Sequence, residues 1–291
     1  MSKAQEDEGR IDSVELVEPE SNFGEQASIE TQEIHLGEKV IPGIAPDKCG
    51  PVMIGYGWHR GVNGEFPWFY SNWLEFLQRQ GFTIARARVN GTYLADGRNS
   101  LAMAARRAGV KWLCMVDDDM LAPDNILYRL LTLASSHEIP VLGTNYVSHS
   151  QFGPKPVTQI VEGEFASEAQ CRIEIAKARK GELSKVYSIG TGITVFNIEA
   201  LTALNEYSSN ETGWFDEYPG IGEDLSFCKR CHKAGLDIYC DFGLPLDVMH
   251  AGTYFYSMAD YMGYPPMWKR TKQMVPEYLR DLRLRGVLAK D

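Results

Sequence analysis

The stretch Lys111-Trp112-Leu113-Cys114-Met115-Val116-Asp117-Asp118-Asp119-Met120 joins an apolar run to three consecutive carboxylates. The run predicts a short buried strand, which puts the acids at its carboxyl end. Adjacent carboxylates repel one another, and a divalent cation relieves that repulsion through oxygen ligation. Strand alternation points Asp117 and Asp119 to one side, towards one ion and its bound diphosphate, and turns Asp118 away. A solvated acidic turn capping the helix opened by Pro123 explains the same residues without a ligand.

Working outward, strand and helix signals alternate. Val52-Met53-Ile54 reads as a buried strand. Phe66 to Gln80 reads as a helix, with Phe69, Trp73 and Leu77 on one face and Gly81 as its cap. Phe82 to Val89 reads as a strand, Asn99 to Arg107 as an Ala-rich helix, and Pro140 to Leu142 as the strand after the Pro123 helix. This β-α-β-α-β order predicts an α/β fold with a mostly parallel sheet and helices on both faces. Ligands then bind outside the carboxyl ends of the strands, where the Asp run lies. Further on, Phe165 to Lys180 reads as a helix and Val186 to Phe196 as a Gly-interrupted strand pair. Ile198 to Leu204 and Glu223 to Ala234 read as helices. Asp237 to Cys240 and Pro245 to Met249 read as short strands.

The 291 residues carry a net charge of −10, of which −8 falls in residues 1–40, where eleven acids face three bases. Residues 1–48 read as an acidic, flexible arm and 257–291 as a basic helical tail. The body is nearly neutral and lacks the electrostatic footprint of a duplex-binding protein. No apolar stretch is long enough to span a bilayer, and the polar, acidic start is unlike a secretory signal, so the expectation is a cytoplasmic protein. The six scattered cysteines read as reduced and buried. Cys228-Lys229-Arg230-Cys231-His232 spells a haem-attachment pattern, but it falls in a helix where Leu225, Cys228 and Cys231 follow core spacing.

Three other features carry chemistry. Glu223 and Asp224 open a helix, where acids favour the macrodipole; a carboxylate there can also act as a base. His250 closes a short strand, either as a structural residue or as a further metal ligand. Tyr56, Trp58 and His59 follow the first strand and either stack on a nucleobase or form a buried aromatic corner.

Taken in order, these features resemble GT-A fold glycosyltransferases, especially family-2-like ones, over roughly residues 50 to 255. The resemblance implies a single GT-A catalytic domain at 49–256. It implies that Asp117 and Asp119 form the Asp-x-Asp, with Asp119 on the metal and Asp117 on the ribose or the metal, and that His250 completes the metal shell. The cofactor is then Mn²⁺ or Mg²⁺, with a UDP- or GDP-sugar as donor. Arg98, in the Arg98-Asn99 pair, would hold the diphosphate beside Asp118 and Tyr56. Gly190 and Gly192 would let the backbone approach the donor sugar. Trp214, with Phe215 and Asp216, would contact sugar or acceptor. Asp224 would be the base of an inverting transfer, with Glu223 the weaker candidate. Lys269 and Arg270 would close over the diphosphate. The alternatives are a retaining transferase, a nucleotidyltransferase and a non-catalytic nucleotide-sugar binding module. Acceptors left open are a glycan, a lipid-linked sugar, a protein, a small metabolite or a modified nucleic-acid base.

Overall fold

The computed structural model describes residues 11–17, 33–36, 39–58, 66–90, 93–148, 154–208, 213–244, 247–251 and 256–261. His59, Lys269 and Arg270, the side chain of Trp58 and most of the basic tail lie outside the described residues.

An eight-stranded sheet forms the centre. Its order is Ile11–Val17, Ile84–Asn90, Val52–Trp58, Trp112–Asp117, Ile193–Asn197, Val141–Thr144, Ile238–Asp241 and Ser184–Val186. Ile84–Asn90, Val52–Trp58 and Trp112–Asp117 are parallel neighbours, as are Val141–Thr144 and Ile238–Asp241. Between these two groups Ile193–Asn197 runs antiparallel to both of its neighbours. All five parallel-group strands therefore end at the same edge, and the antiparallel strand begins there.

The expected α/β fold with a mostly parallel sheet is present. The Gly-interrupted pair differs in detail. Ser184–Val186 and Ile193–Asn197 are not partners, and residues 188–192 cross the carboxyl edge between them. Within the acidic arm, Ile11–Val17 adds an antiparallel edge strand to Ile84–Asn90. No strand was expected there, because Asp12, Ser13 and Glu15 interrupt the apolar pattern expected of a buried strand.

Apolar residues bury on both faces of the sheet. On one, the helices Phe66–Arg79 and Ile126–Ser136 place Trp73, Leu77, Ile126 and Leu130 against Ile54, Cys114 and Val195. On the other, Leu94–Arg107 and Glu223–Lys233 place Leu101, Ala105, Phe227 and Cys231 against Met53, Leu113 and Phe196. Small residues let Leu94–Arg107 lie close to the sheet. All six cysteines are free and buried, and Cys228 and Cys231 sit in the second core. Among the described residues no helix is long and apolar enough to cross a membrane.

Two anchors fix the carboxyl edge. The Trp73 indole N–H donates to the carbonyls of Ala122 and Pro123 at 3.2 and 3.1 Å, pinning the chain just beyond the Asp run. The Arg129 guanidinium grips Asp241, at the end of its strand, through contacts of 2.6 and 3.2 Å. The Asp241 carboxylate also accepts from the Gly243 N–H at 2.7 Å. Both side chains of this ion pair are buried, so truncating one strands the other's charge. Asp241→Ala should lower unfolding free energy by about 3–5 kcal/mol in urea titration. The double change Asp241→Leu with Arg129→Met should recover most of that loss.

Candidate functional site

The carboxyl edge encloses a cavity of about 310 Å³. Its inner wall is apolar, formed by Gly57, Val89, Leu101 and Met115. Its charged lining is predominantly acidic: Asp117, Asp118, Asp119, Glu223 and Asp224 line it, with Arg98 and His250 as basic side chains. The structure thus brings together the Asp run, Arg98, the Glu-Asp helix start and His250.

Arg98 is the centre of this arrangement. It lies in the first turns of Leu94–Arg107 and is 6% exposed. Its Nη2 is 3.2 Å from Asp117 Oδ2, 3.3 Å from Glu223 Oε1 and 3.7 Å from Asp224 Oδ1. Burial works against its charge, but the three carboxylates outweigh burial and hold the guanidinium ionised more firmly than usual. They do not neutralise one another in return. Burial raises the Asp117 pKa; Arg98 opposes the rise, while the charges of Asp119 and Asp224 add to it. The Glu223 carboxyl is also raised, first by burial and then by Asp224. Asp224 Oδ1 accepts a short hydrogen bond from the Thr191 hydroxyl.

Asp119 and His250 form a second unit. The short strand Met120–Leu121 pairs antiparallel with Met249–His250, with His250 opposite Met120. The Ala251 N–H donates to the Asp119 carbonyl at 2.6 Å. His250 Nδ1 donates to the Val147 carbonyl at 3.0 Å, which turns Nε2 towards Asp119 Oδ2 at 2.9 Å. Burial lowers the His250 pKa, but the hydrogen bond and charge of Asp119 more than reverse this, leaving it raised. Asp119 Oδ1 is buried without a hydrogen-bond partner among the described residues. Among those residues, no group of three or more His, Cys, Asp or Glu side chains forms a metal-holding cluster.

Several expectations land elsewhere. Strand alternation was expected to turn Asp118 away, but the strand ends at Asp117 and the chain turns at 118–119. Period-two facing stops where the strand does, so Asp118 lines the cavity with its neighbours. Tyr56 packs 4.7 Å from Tyr70 and 5.6 Å from Phe66 on the opposite face; Gly57, the next residue, lines the cavity. Trp214 is fully buried and lines neither this cavity nor its neighbour. Its indole donates to Asn205 at 2.8 Å, and Phe215 beside it stacks on Phe227. Asn99, partner of Arg98 in sequence, donates to Asp216 and accepts from the Phe215 N–H, both at 2.8 Å. It fixes the 213–217 segment instead of facing the cavity.

Gly190 and Gly192 allow a close approach, but the group that approaches is the Tyr146 hydroxyl. A Cβ on Gly192 would lie 2.6 Å from that oxygen and 2.8 Å from Cζ, and one on Gly190 would lie closer still to the oxygen. The Gly192 N–H donates to Tyr146 Oη at 2.9 Å, and the Gly192 carbonyl accepts from the Asp117 N–H at 2.9 Å. The Tyr146 ring meets His250 edge-on at 5.7 Å. Burial drives its phenol pKa well above normal, helped by Asp224 and Asp117.

A sequence model described as "Glycosyltransferase like family 2" matches residues 80–251, more than half of the chain. The chain belongs to this family. No curated protein matches it. Among solved structures, the crystal structure of A197 from STIV is similar at 14% identity and a TM-score of 0.44, covering 69% of this chain and 85% of that one.

In this glycosyltransferase, Tyr146 is the cavity residue that the sequence reading missed. The available signal was its position two residues past the strand Val141–Thr144, at the carboxyl edge where ligands bind. The Tyr146–Gly192 contact is directly testable. Gly192→Ala should destabilise the glycosyltransferase by roughly 1–3 kcal/mol through overpacking. Combined with Tyr146→Phe, the two losses should be non-additive by more than about 0.5 kcal/mol in a double-mutant cycle measured by chemical denaturation.

Proposed function

We propose that this glycosyltransferase moves a sugar from a UDP- or GDP-sugar to a hydroxyl acceptor, with inversion and with a divalent cation. The observation that carries the reading is the charge of the cavity: five carboxylates against one guanidinium and one imidazole. A nucleoside diphosphate is itself anionic, so its entry requires compensating positive charge. Arg98 alone does not supply it, because three carboxylates already share its Nη2.

The residues present fit Mn²⁺ or Mg²⁺. Asp119 Oδ1 is an orphaned buried acceptor, and oxygen ligands suit both ions. In the absence of a cation His250 Nε2–H donates to Asp119; a cation would displace that proton, and with Nδ1–H committed to Val147 the imidazole would turn its Nε2 lone pair to the ion. Asp119 and His250 would hold the cation, with Asp117 next to them. A protein share this small is common where substrate phosphates supply further oxygens. The bound ion would offset charge on the leaving diphosphate.

The chain's own residues account for the rest. The apolar inner wall of Gly57, Val89, Leu101 and Met115 suits the nucleobase and excludes water from it. Arg98 keeps Asp117 and the Glu223-Asp224 helix start together. Asp224 serves as base: Thr191 donates to Oδ1 and Arg98 lies nearest that same oxygen, so Oδ2 retains its lone pairs. The acceptor O–H gives its proton to Oδ2 while its oxygen bonds to the anomeric carbon. The bond from that carbon to the diphosphate breaks, and the electron pair leaves with the nucleoside diphosphate. Attack opposite the leaving group inverts the centre. Glu223 is the more buried acid and is tied to Arg98, which suits support of Arg98 better than proton transfer.

Thermal shift against a panel of UDP- and GDP-sugars should show stabilisation that appears with Mn²⁺ and vanishes with EDTA. Asp119→Ala and His250→Ala should each remove it. Asp224→Asn should keep donor binding and lower transfer by about 10²–10⁴-fold. Product configuration by NMR separates inversion from retention. Full turnover in EDTA by the Asp119→Ala protein would overturn the proposal.

A further inference from the structure

A second cavity, of about 280 Å³, adjoins the acidic one. The two share Ser148, Val157, Glu223 and Asp224. Asp224 therefore stands in the wall between them and faces a space on either side. Beyond the shared residues the second cavity changes character. Pro156, Phe165, Ile189 and Leu225 line it, and Lys155 is the only ionisable side chain added to the shared acids.

Phe165 is the distinctive element. It is 51% exposed, although the residue after it, Ala166, is buried. The backbone on both sides is fixed. Phe165 pairs with Gln159 in the small hairpin formed with Gln159–Val161, and the Ala166 N–H donates to the Thr158 carbonyl at 2.9 Å. Ser167 then caps the helix Glu168–Arg179 in a reciprocal capping box with Gln170. The ring is thus held at the cavity wall by ordered backbone instead of folding onto the core.

We infer that this second cavity binds the acceptor, and that the acceptor carries its hydroxyl on an uncharged apolar or aromatic body. The inference rests on the donor assignment above. A wall of aliphatic and aromatic side chains offers few hydrogen bonds to a polyhydroxylated body, and leaving such groups unpaired on burial is unfavourable. Glu223 and Asp224 disfavour an anionic acceptor at the same end. Seating the apolar body against Phe165, Pro156 and Leu225 directs the hydroxyl to Asp224 Oδ2, the oxygen that takes its proton in the transfer. The donor and acceptor then meet across the shared wall.

The test uses the full chain with diamagnetic Mg²⁺ and two neutral alcohols as probes, 2-phenylethanol and methyl β-D-glucopyranoside, titrated by saturation-transfer NMR. 2-Phenylethanol should bind at least tenfold more tightly. Phe165→Ala should weaken it fivefold or more, and Phe165→Tyr, which keeps the ring, should stay within twofold. Leu225→Asn reads the same wall if Phe165→Ala fails to fold. Equal affinity for the two probes, or full affinity in a folded Phe165→Ala or Leu225→Asn protein, overturns the inference. Titration of UDP and GDP into the same Mg²⁺ sample reports on the first cavity separately. Its failure would count against the donor reading, whereas the alcohol result alone decides the acceptor class.

Discussion

One buried guanidinium holds the carboxyl edge of this sheet together. Arg98 bridges Asp117, at the end of a central strand, to Glu223 and Asp224, at the start of a helix more than a hundred residues later. Without a cation between them, these acids would repel the helix start from the strand end. A buried charge keeps such a position only when paired, and Arg98 is paired three ways. Arg98 does not reach Asp119, whose carboxylate instead faces His250 and keeps one buried oxygen without a hydrogen-bond partner among the described residues. Five carboxylates against two basic side chains leave the cavity acidic, which favours a cation together with an anionic substrate.

Periodicity exposed most of the fold. Trp73 and Leu77 on one helix, and the apolar run Trp112 to Val116, gave unambiguous signals because each buries a single face or a whole strand. Strand direction was not legible. Ile193–Asn197 has the composition of any central strand, and nothing local states that it runs against its neighbours. Ile11–Val17 was missed because its pairing depends on an exposed partner edge at Ile84–Asn90, a tertiary fact that the acidic composition of the arm concealed.

The site divides along similar lines. Asp117, Glu223, Asp224 and His250 were recognisable because each sits where an element starts or stops, and charge at such positions needs a reason; Arg98, inside its helix, was recognised only through the resemblance of the Arg98-Asn99 pair. The aromatics were harder. Tyr56 and Gly57 alternate, so the choice of which one faces the cavity turns on a single residue of register. Trp214 sits near the Glu-Asp helix start in sequence, yet its own bond to Asn205, and the hold of Asn99 and Phe227 on Phe215 beside it, keep it in the core. Tyr146 looks in sequence like any buried tyrosine. Its place just beyond the strand Val141–Thr144 and the paired glycines at 190 and 192, which make room for its hydroxyl, mark it as part of the site.

The antiparallel strand explains why two cavities exist instead of one. A parallel strand at this place would deliver its leading loop to the opposite edge of the sheet. Because Ile193–Asn197 begins at the carboxyl edge, residues 188–192 cross over the site. They bring Thr191 onto Asp224, the Gly192 carbonyl onto the Asp117 N–H, and Ile189 into the apolar wall. Ser148, Val157 and the Glu223-Asp224 helix start line both cavities, while Ile189 and Gly190 of the crossing loop line the second. An acidic, cation-seeking chamber lies on one side and an apolar one on the other, and Asp224 is accessible from both. Under the proposed reading, the charged donor and the uncharged acceptor would each occupy one of these chambers. A single open cleft would expose an apolar acceptor to five carboxylates and the diphosphate to a wall without countercharge.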